Sequence, residues 1–180
     1  MSFEGVNMKL TRKTKSNLLA LMILLVMVLV YSRPYSFSEI MPKLADAPIT
    51  KCEAEYYAQE ADENGKPKYI TTYKEFDVNG EEYAQLMEKL ESVTYRKRLI
   101  WALSSGKNTG GYSIDYPYSI ITFYQEGRVY QYCLFNSALA AGHVGEKLDY
   151  KPQGGQKFQA EVTEFIHTHG TIINEEVRQY

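Results

Sequence analysis

The chain has 180 residues, 44% of them hydrophobic, with 20 Lys and Arg against 22 Asp and Glu, which is a globular composition and not a disordered or fibrous one. The charge is unevenly distributed, because residues 1–38 have a net charge of +4 and residues 39–180 a net charge of −6. An acidic domain without a basic stripe argues against nucleic-acid binding, and two cysteines exclude a disulfide-rich scaffold or a four-cysteine zinc site.

The N-terminal segment combines a basic stretch with an uncharged apolar run. Residues 9–15 include four Lys or Arg side chains, and Leu18–Val30 comprises thirteen apolar residues. Such a run enters a bilayer as a helix, because hydrocarbon cannot satisfy free backbone polar groups. The basic flank stays on the cytoplasmic side. We therefore predict a cytoplasmic N-terminus (1–16), a transmembrane signal-anchor helix (17–34) and a domain outside the cell membrane.

A cleaved secretory signal is the alternative interpretation of this segment. At 1.5 Å per residue the run spans about 20 Å, against roughly 30 Å of hydrocarbon, and secretory signals have apolar regions of this length. Ser36-Phe37-Ser38 is the best small-x-small cleavage site, so cleavage near Ser38 would give a secreted protein. Both interpretations export the domain. The anchor is preferred because the cleavage site is weak and lies far from the apolar run.

Beyond the apolar run, prolines and alternating polarity organise the chain. Residues 35–50 contain Pro42 and Pro48 without hydrophobic periodicity and are predicted to be a linker. Alternation and turn residues, including Glu126-Gly127 as a two-residue hairpin connection, then predict a series of strands. These strands lie at about residues 51–59, 68–78, 118–125, 128–135 and 146–151.

Two amphipathic helices complete the pattern. Asn79 followed by Glu82 is predicted to begin the first helix with a capping box, and apolar residues recur at helical spacing up to residue 93. The second helix covers 156–169 and ends at Gly170. We therefore predict an α+β domain over 51–170, in which an antiparallel sheet of about five strands carries two helices on one face. Residues 171–180 are expected to be a C-terminal tail.

Several short motifs accompany this architecture. They are Tyr95-Arg96-Lys97-Arg98, Gly110-Gly111-Tyr112, the hairpin at Glu126-Gly127, and Gly154-Gly155 before the last helix. With the N-terminal anchor and the β-β-α order, the chain resembles small membrane-anchored domains of unknown function from Gram-positive bacteria. The resemblance covers roughly residues 45–170 and rests on architecture. It implies a location and a fold, and it supplies no catalytic residues.

The residue patterns that suggest catalysis are weak. Ser104 and Lys107 have the Ser-x-x-Lys spacing of serine acyltransferases, but they lie in a Gly-rich stretch without the companion motifs of those enzymes. His167 and His169 are two residues apart, about 200° around a helix, so they cannot chelate one ion together. His143 lies between glycines without placeable ligand partners. We therefore predict no catalytic residues, no cofactor and no metal site; a small envelope enzyme is the alternative.

Tyrosine is the feature that most favours binding, since 14 of the 16 tyrosines lie in residues 39–180. A row of exposed tyrosines would form a binding face for an envelope protein or polymer, whereas alternating tyrosines also simply favour strands. The candidate binding face comprises Tyr112, Tyr118, Tyr124, Tyr130 and Tyr132. The basic residues 96–98 are a second candidate, for anionic headgroups or wall polymers, although such residues also complement a helix C-terminus.

Cys52 and Cys133, the two cysteines, both fall in predicted strands outside the membrane. An oxidising location permits a disulfide between them, provided that their Cα atoms lie within about 7 Å. Two buried free thiols that behave as small hydrophobic side chains are the alternative. The sequence leaves both arrangements open, because it does not give the order of the strands.

Overall fold

The computed structural model describes residues 12–97, 116–134, 139–143 and 148–179. The chain divides into two units, one up to Arg33 and a compact one from Pro34 onward. The first unit contains helix α1 (Arg12–Ser32), whose leucine, isoleucine and valine side chains between Leu18 and Val30 are exposed. Within the described residues, no helix combines the length and the apolar composition that crossing a bilayer requires.

The second unit contains helices and strands in an order that confirms the α+β class. Its helices are α2 (Phe37–Ile40), α3 (Glu81–Glu91) and α4 (Gln156–Thr168), with a 3-10 turn at Pro42–Ala45. Its strands are β1 (Lys51–Ala61), β2 (Pro67–Phe76), β3 (Tyr95–Lys97), β4 (Tyr118–Gln125), β5 (Arg128–Leu134), β6 (Leu139–His143), β7 (Leu148–Pro152) and β8 (Thr171–Gln179).

The strands form one antiparallel sheet in the order β3-β7-β6-β5-β4-β1-β2-β8. The predicted hairpins β1–β2 and β4–β5 are both present, and they join through the pairing of β1 with β4. Cys52 of β1 therefore lies between Phe76 of β2 and Phe123 of β4. The described sheet has eight strands where about five were expected, because β3, β6 and β8 show little alternation of polarity in the sequence.

Helices α3 and α4 lie side by side on one face of the sheet, as predicted. Their apolar stripes are buried there: Leu86 and Leu90 of α3, and Val162 and Ile166 of α4, have at most 1% of their surface exposed. Burial of these stripes stabilises the domain, at roughly 25 cal/mol per Å² of apolar surface. The helices thus define a closed face of the sheet. The opposite face, on which the described part of the domain from Pro34 onward places no helix, is called the open face.

The beginning of α3 differs from the prediction. Gly80 is its N-cap residue and provides no side-chain cap, while Asn79 lies in the preceding turn. The carboxylate of Glu82 does not return to its own helix start; it accepts a hydrogen bond from the N–H of Gly170, 2.9 Å away, just after α4. Gly170 has φ +78°, and a side chain there would lie 3.0 Å from the ring of Phe76. Glycine is therefore required where the chain leaves α4 and turns over the core.

The two segments predicted to lack structure are ordered elements. Residues 35–50 include α2, in which Ser36 and Glu39 form a capping box, and Phe37 and Ile40 are each 1% exposed. Residues 171–179, predicted to be a tail, form β8 along the edge of β2. Both errors have the same cause: these segments are ordered by contacts with distant strands and carry little periodicity of their own.

Candidate functional site

The open face of the sheet is built by the residues of β1 that alternate with its buried ones. Cys52 and Ala54 point to the helices and are at most 1% exposed, so Glu53, Glu55 and Tyr57 point the other way. Helix α4 lies on the closed face, because its His167 ring stacks on Tyr56 with centroids 4.5 Å apart. Alternation in one strand therefore assigns neighbouring tyrosines, 56 and 57, to opposite faces.

A row of tyrosine rings crosses the open face. Tyr57 and Tyr118 lie directly opposite each other on β1 and β4 and stack with centroids 4.4 Å apart and an interplanar angle of 8°. Tyr116 lies 5.3 Å from Tyr118 and 5.6 Å from Tyr69 of β2. These four residues, 57, 69, 116 and 118, are called the tyrosine row below, and each is half-buried. Rings at such separations are favourably arranged pairs.

Carboxylates accept hydrogen bonds from the tyrosines of this face. The hydroxyl of Tyr57 donates to Glu55, and that of Tyr124 donates to Glu53. Lys51 also pairs with Glu53, with 2.6 Å between nitrogen and oxygen. The face consequently presents aromatic rings beside fixed carboxylates, an arrangement that offers both contact area and hydrogen-bond acceptors to a partner.

The same contacts shift the pKa values of this face. Burial raises the pKa of Glu53, but the hydrogen bonds from Lys51 and Tyr124 outweigh burial and leave it below its ordinary value. The hydrogen bond to Glu53, followed by burial, raises the pKa of Tyr124 to about 12. Burial raises the pKa of Tyr118 to about 12 as well. At neutral pH the Glu53 carboxylate is therefore ionised, and the phenol groups of Tyr118 and Tyr124 are neutral.

The candidate tyrosines from the sequence are divided between the two faces. Tyr118 and Tyr124 lie on the open face, as the prediction required, and Tyr112 lies outside the described residues. Tyr130 and Tyr132 are 2% and 0% exposed, so their assignment to a binding face is wrong. They are buried because β5 places them opposite Phe123 and Ile121 of the core.

Three members of the tyrosine row were missed by the sequence analysis, namely Tyr57, Tyr69 and Tyr116. A signal for Tyr57 was present, since it alternates with Cys52 and Ala54 and so lies on the less buried side of β1. The contact of Tyr57 with Tyr118 depends on β1 lying next to β4, which brings together residues about sixty positions apart. Only the strand order brings these rings together.

The structure places the two cysteines apart. Cys52 and Cys133 are both free thiols. They lie on β1 and β5, which are separated by β4, and their register positions put them on opposite faces: Cys52 faces the helices, while Cys133 pairs with Ile120 of the open face. Cys133 does not lie on the core side of its strand, because Tyr130, Tyr132 and Leu134 occupy that side.

His167 and His169 have structural contacts. His167 stacks on Tyr56, and the ring of His169 stacks on Phe165 with centroids 4.1 Å apart. In the part of the chain that the structure describes, no group of three His, Cys, Asp or Glu side chains is placed to hold a metal ion. Ser104 and Lys107, the candidate catalytic pair, lie outside the described residues.

The basic residues before β4 are described only in part. Arg96 lies on β3 opposite Lys151 of β7, with its side chain exposed, and Arg98 is outside the described residues. Lys151 and Lys157 therefore join Arg96 as the cations that the structure brings together at this edge of the sheet.

No protein-family model matches the sequence, and neither a curated protein nor a solved structure is significantly similar to it.

Proposed function

We propose that this chain is a membrane-anchored binding or accessory protein of the cell envelope, with its α+β domain outside the membrane. The tyrosine row on the open face of the sheet is the observation that carries the binding part of the proposal. The tyrosine row provides four rings of rigid contact area, and Glu53 and Glu55 lie beside them. Rigid aromatic side chains lose little conformational entropy on binding, which favours them at recognition surfaces.

The anchor rests on the composition of α1. Its apolar side chains from Leu18 to Val30 are exposed on all sides, and an isolated helix of this kind is unstable in water. Asn17, Tyr31 and Ser32 can lie in the interfacial layer and extend the short apolar run. The basic residues before α1 favour a cytoplasmic N-terminus and an exported domain.

The buried position of Phe37 supports an anchor that is retained over a cleaved signal. Cleavage near Ser38 would remove Phe37, which is 1% exposed and lies edge-on to Tyr132 at 5.1 Å. Loss of a buried Phe side chain costs about 3–5 kcal/mol, so a mature protein cut there would be strongly destabilised. This argument favours the membrane-bound form.

Capture from an envelope fraction tests the binding part of the proposal. The full-length chain, solubilised in detergent, should retain an envelope protein or polymer, and Tyr57→Ser should abolish that retention. Tyr56→Ser is the matched control, because it removes the adjacent half-buried tyrosine, also a member of a stacked pair, from the closed face. Equal retention by the two variants, or no retention by the wild type, would contradict the role of the tyrosine row.

Protease treatment of intact protoplasts tests the topology. Added protease should degrade the domain beyond Pro34 and spare the N-terminal residues, because the basic flank is expected inside. A domain that remains protected until the membrane is permeabilised would overturn the exported topology.

A further inference from the structure

A basic pocket lies at the opposite end of the sheet from β8. It has a volume of about 820 Å³ and is lined by cations from three separate elements: Arg96 of β3, Lys151 of β7 and Lys157 of α4. The rest of the described lining is uncharged and comprises Pro152, Gln153, Gly154, Gly155 and Gln156. Residues 39–180 have a net charge of −6, so this local excess of positive charge is opposite in sign to the net charge of the domain.

The pairing of β3 with β7 holds two of these cations close together, where they repel each other. Arg96 and Lys151 are direct partners in the antiparallel pair β3–β7, and like charges in such positions destabilise a sheet. Lys157 forms a long ion pair with Glu161 one helical turn later, with 3.8 Å between nitrogen and oxygen. Among the described residues, no ion pair neutralises Arg96 or Lys151. An anion between the three cations would relieve this repulsion.

The backbone of the pocket adds to its preference for an anion. Gly154 and Gly155 have φ values of +89° and +53°, and α4 begins immediately afterwards without a side-chain cap. The first N–H groups of a helix have no intrahelical acceptor, so that of Gln156 is free to donate to a ligand. These two glycines line the pocket without side chains.

The covalent chain connects this pocket closely to α1. Tyr35 exchanges two backbone hydrogen bonds with Tyr95, at 2.8 and 2.7 Å, and its ring lies edge-on to Tyr150. Tyr35 thus contacts both of these tyrosines. They immediately precede Arg96 and Lys151 in the sequence. Only Arg33 and Pro34 separate Tyr35 from the end of α1, and three peptide units reach about 11 Å at most. That limit holds for any orientation of the helix.

We propose that the pocket of Arg96, Lys151 and Lys157 binds the phosphate of an anionic phospholipid headgroup. This inference deepens the proposed function and rests on its membrane anchor: a bilayer that holds α1 brings headgroup phosphates within reach of Tyr35. The three cations supply the charge, and the N–H of Gln156 at the start of α4 supplies a hydrogen-bond donor. Headgroup binding would hold the domain at a defined orientation on the membrane surface.

Nuclear magnetic resonance of the full-length chain in neutral detergent tests this proposal, with the amide signals of Gly154 and Gly155 as reporters. The probe is dihexanoyl phosphatidylglycerol, and dihexanoyl phosphatidylcholine and sodium phosphate are separate arms. We expect saturable shifts of both glycine signals with phosphatidylglycerol and much weaker ones in the other two arms. Removal of one cation near a lipid surface costs about fivefold in affinity, so Lys151→Gln and Arg96→Gln should each weaken binding by about that factor.

Lys66→Gln is the matched control, because Lys66 is an exposed lysine in the β1–β2 turn, away from the pocket; it should leave the affinity unchanged. Equal affinity for sodium phosphate would assign the site to free phosphate and overturn the lipid proposal. Absence of saturable glycine shifts, or equal weakening by Lys66→Gln, would also overturn it. Resistance of the chain to carbonate extraction from membranes tests the anchor separately, and Lys151→Gln should not alter it.

Discussion

Lys74 donates a hydrogen bond from its ammonium group to the carbonyl oxygen of His167, 2.5 Å away, although 93 positions separate them in the chain. A second bond of 2.8 Å reaches the carbonyl of His169. The Lys74 residue is 4% exposed, and burial lowers its pKa, with Glu82 acting in the opposite direction. The last carbonyls of a helix lack intrahelical donors and favour a cation. One buried lysine of β2 therefore caps the C-terminal end of α4.

Replacement of Lys74 by Met should lower the free energy of unfolding by about 1–3 kcal/mol, because two carbonyl groups lose their charged donor. Urea denaturation followed by circular dichroism measures this change. Lys68→Met is the control on the same strand and face; the ammonium of Lys68 lies 3.8 Å from the carboxylate of the exposed Glu60, so the effect should stay below about 1 kcal/mol. Equal denaturation midpoints for the two variants would show that the cap contributes nothing.

Truncation tests the position of α2 in the core. Residues 34–180 retain Phe37, Ile40 and Met41, which are at most 3% exposed, whereas residues 45–180 lack all three. We expect the longer fragment to melt cooperatively and the shorter one to be unfolded or to melt far lower, since each lost side chain costs about 2–5 kcal/mol. Thermal melting compares the two. Similar melting temperatures would mean that the segment before residue 45 is not part of the core.

Stability should fall at alkaline pH. Burial raises the pKa of Cys52 to about 12 and holds those of Tyr95 and Tyr132 above the ordinary value of 10.0. A group whose pKa is raised on folding stabilises the protein below its unfolded pKa, and that contribution is lost as the pH rises towards the folded value. The free energy of unfolding should therefore be level up to about pH 9 and decrease from there to about pH 12.

Lys74 acts in the opposite direction in this range, because its pKa is lowered on folding, but it is one group against several. Urea denaturation at pH 8, 9, 10 and 11 measures the profile. Tyr132→Phe removes one of the raised groups and should make the alkaline decrease less steep. A free energy of unfolding that stays constant to pH 11 would contradict the burial of these phenols and the Cys52 thiol.

Both cysteines should react as free thiols. Alkylation of the unreduced, denatured chain should add two labels by intact mass, because Cys52 and Cys133 are free and lie on strands that are not neighbours. In the native chain Cys133 should react first, since it is half-buried and its pKa is raised to about 11, against about 12 for the fully buried Cys52. A mass consistent with a disulfide would refute the separation of β1 and β5.

Local sequence patterns were sufficient where an element is determined by its own residues. The helical spacing of apolar residues located α3 and α4, the turn residues at Glu126-Gly127 located the β4–β5 hairpin, and alternation located β1. Each of these patterns acts within about a dozen residues. For the same reason the α+β class followed from the order of the elements along the chain.

Long-range pairing decided the rest, because it joins residues whose relation the local pattern does not carry. Tyr130 and Tyr132 resemble Tyr118 and Tyr124 in the sequence, but the register of β5 against β4 sends the first two into the core and leaves the others on the open face. Likewise, α2 and β8 are ordered by β3 and β2, and Arg96 meets Lys151 only through the pairing of β3 with β7. A shift of one residue in any of these registers would reverse which side chains face the core, so both candidate sites are properties of the tertiary structure.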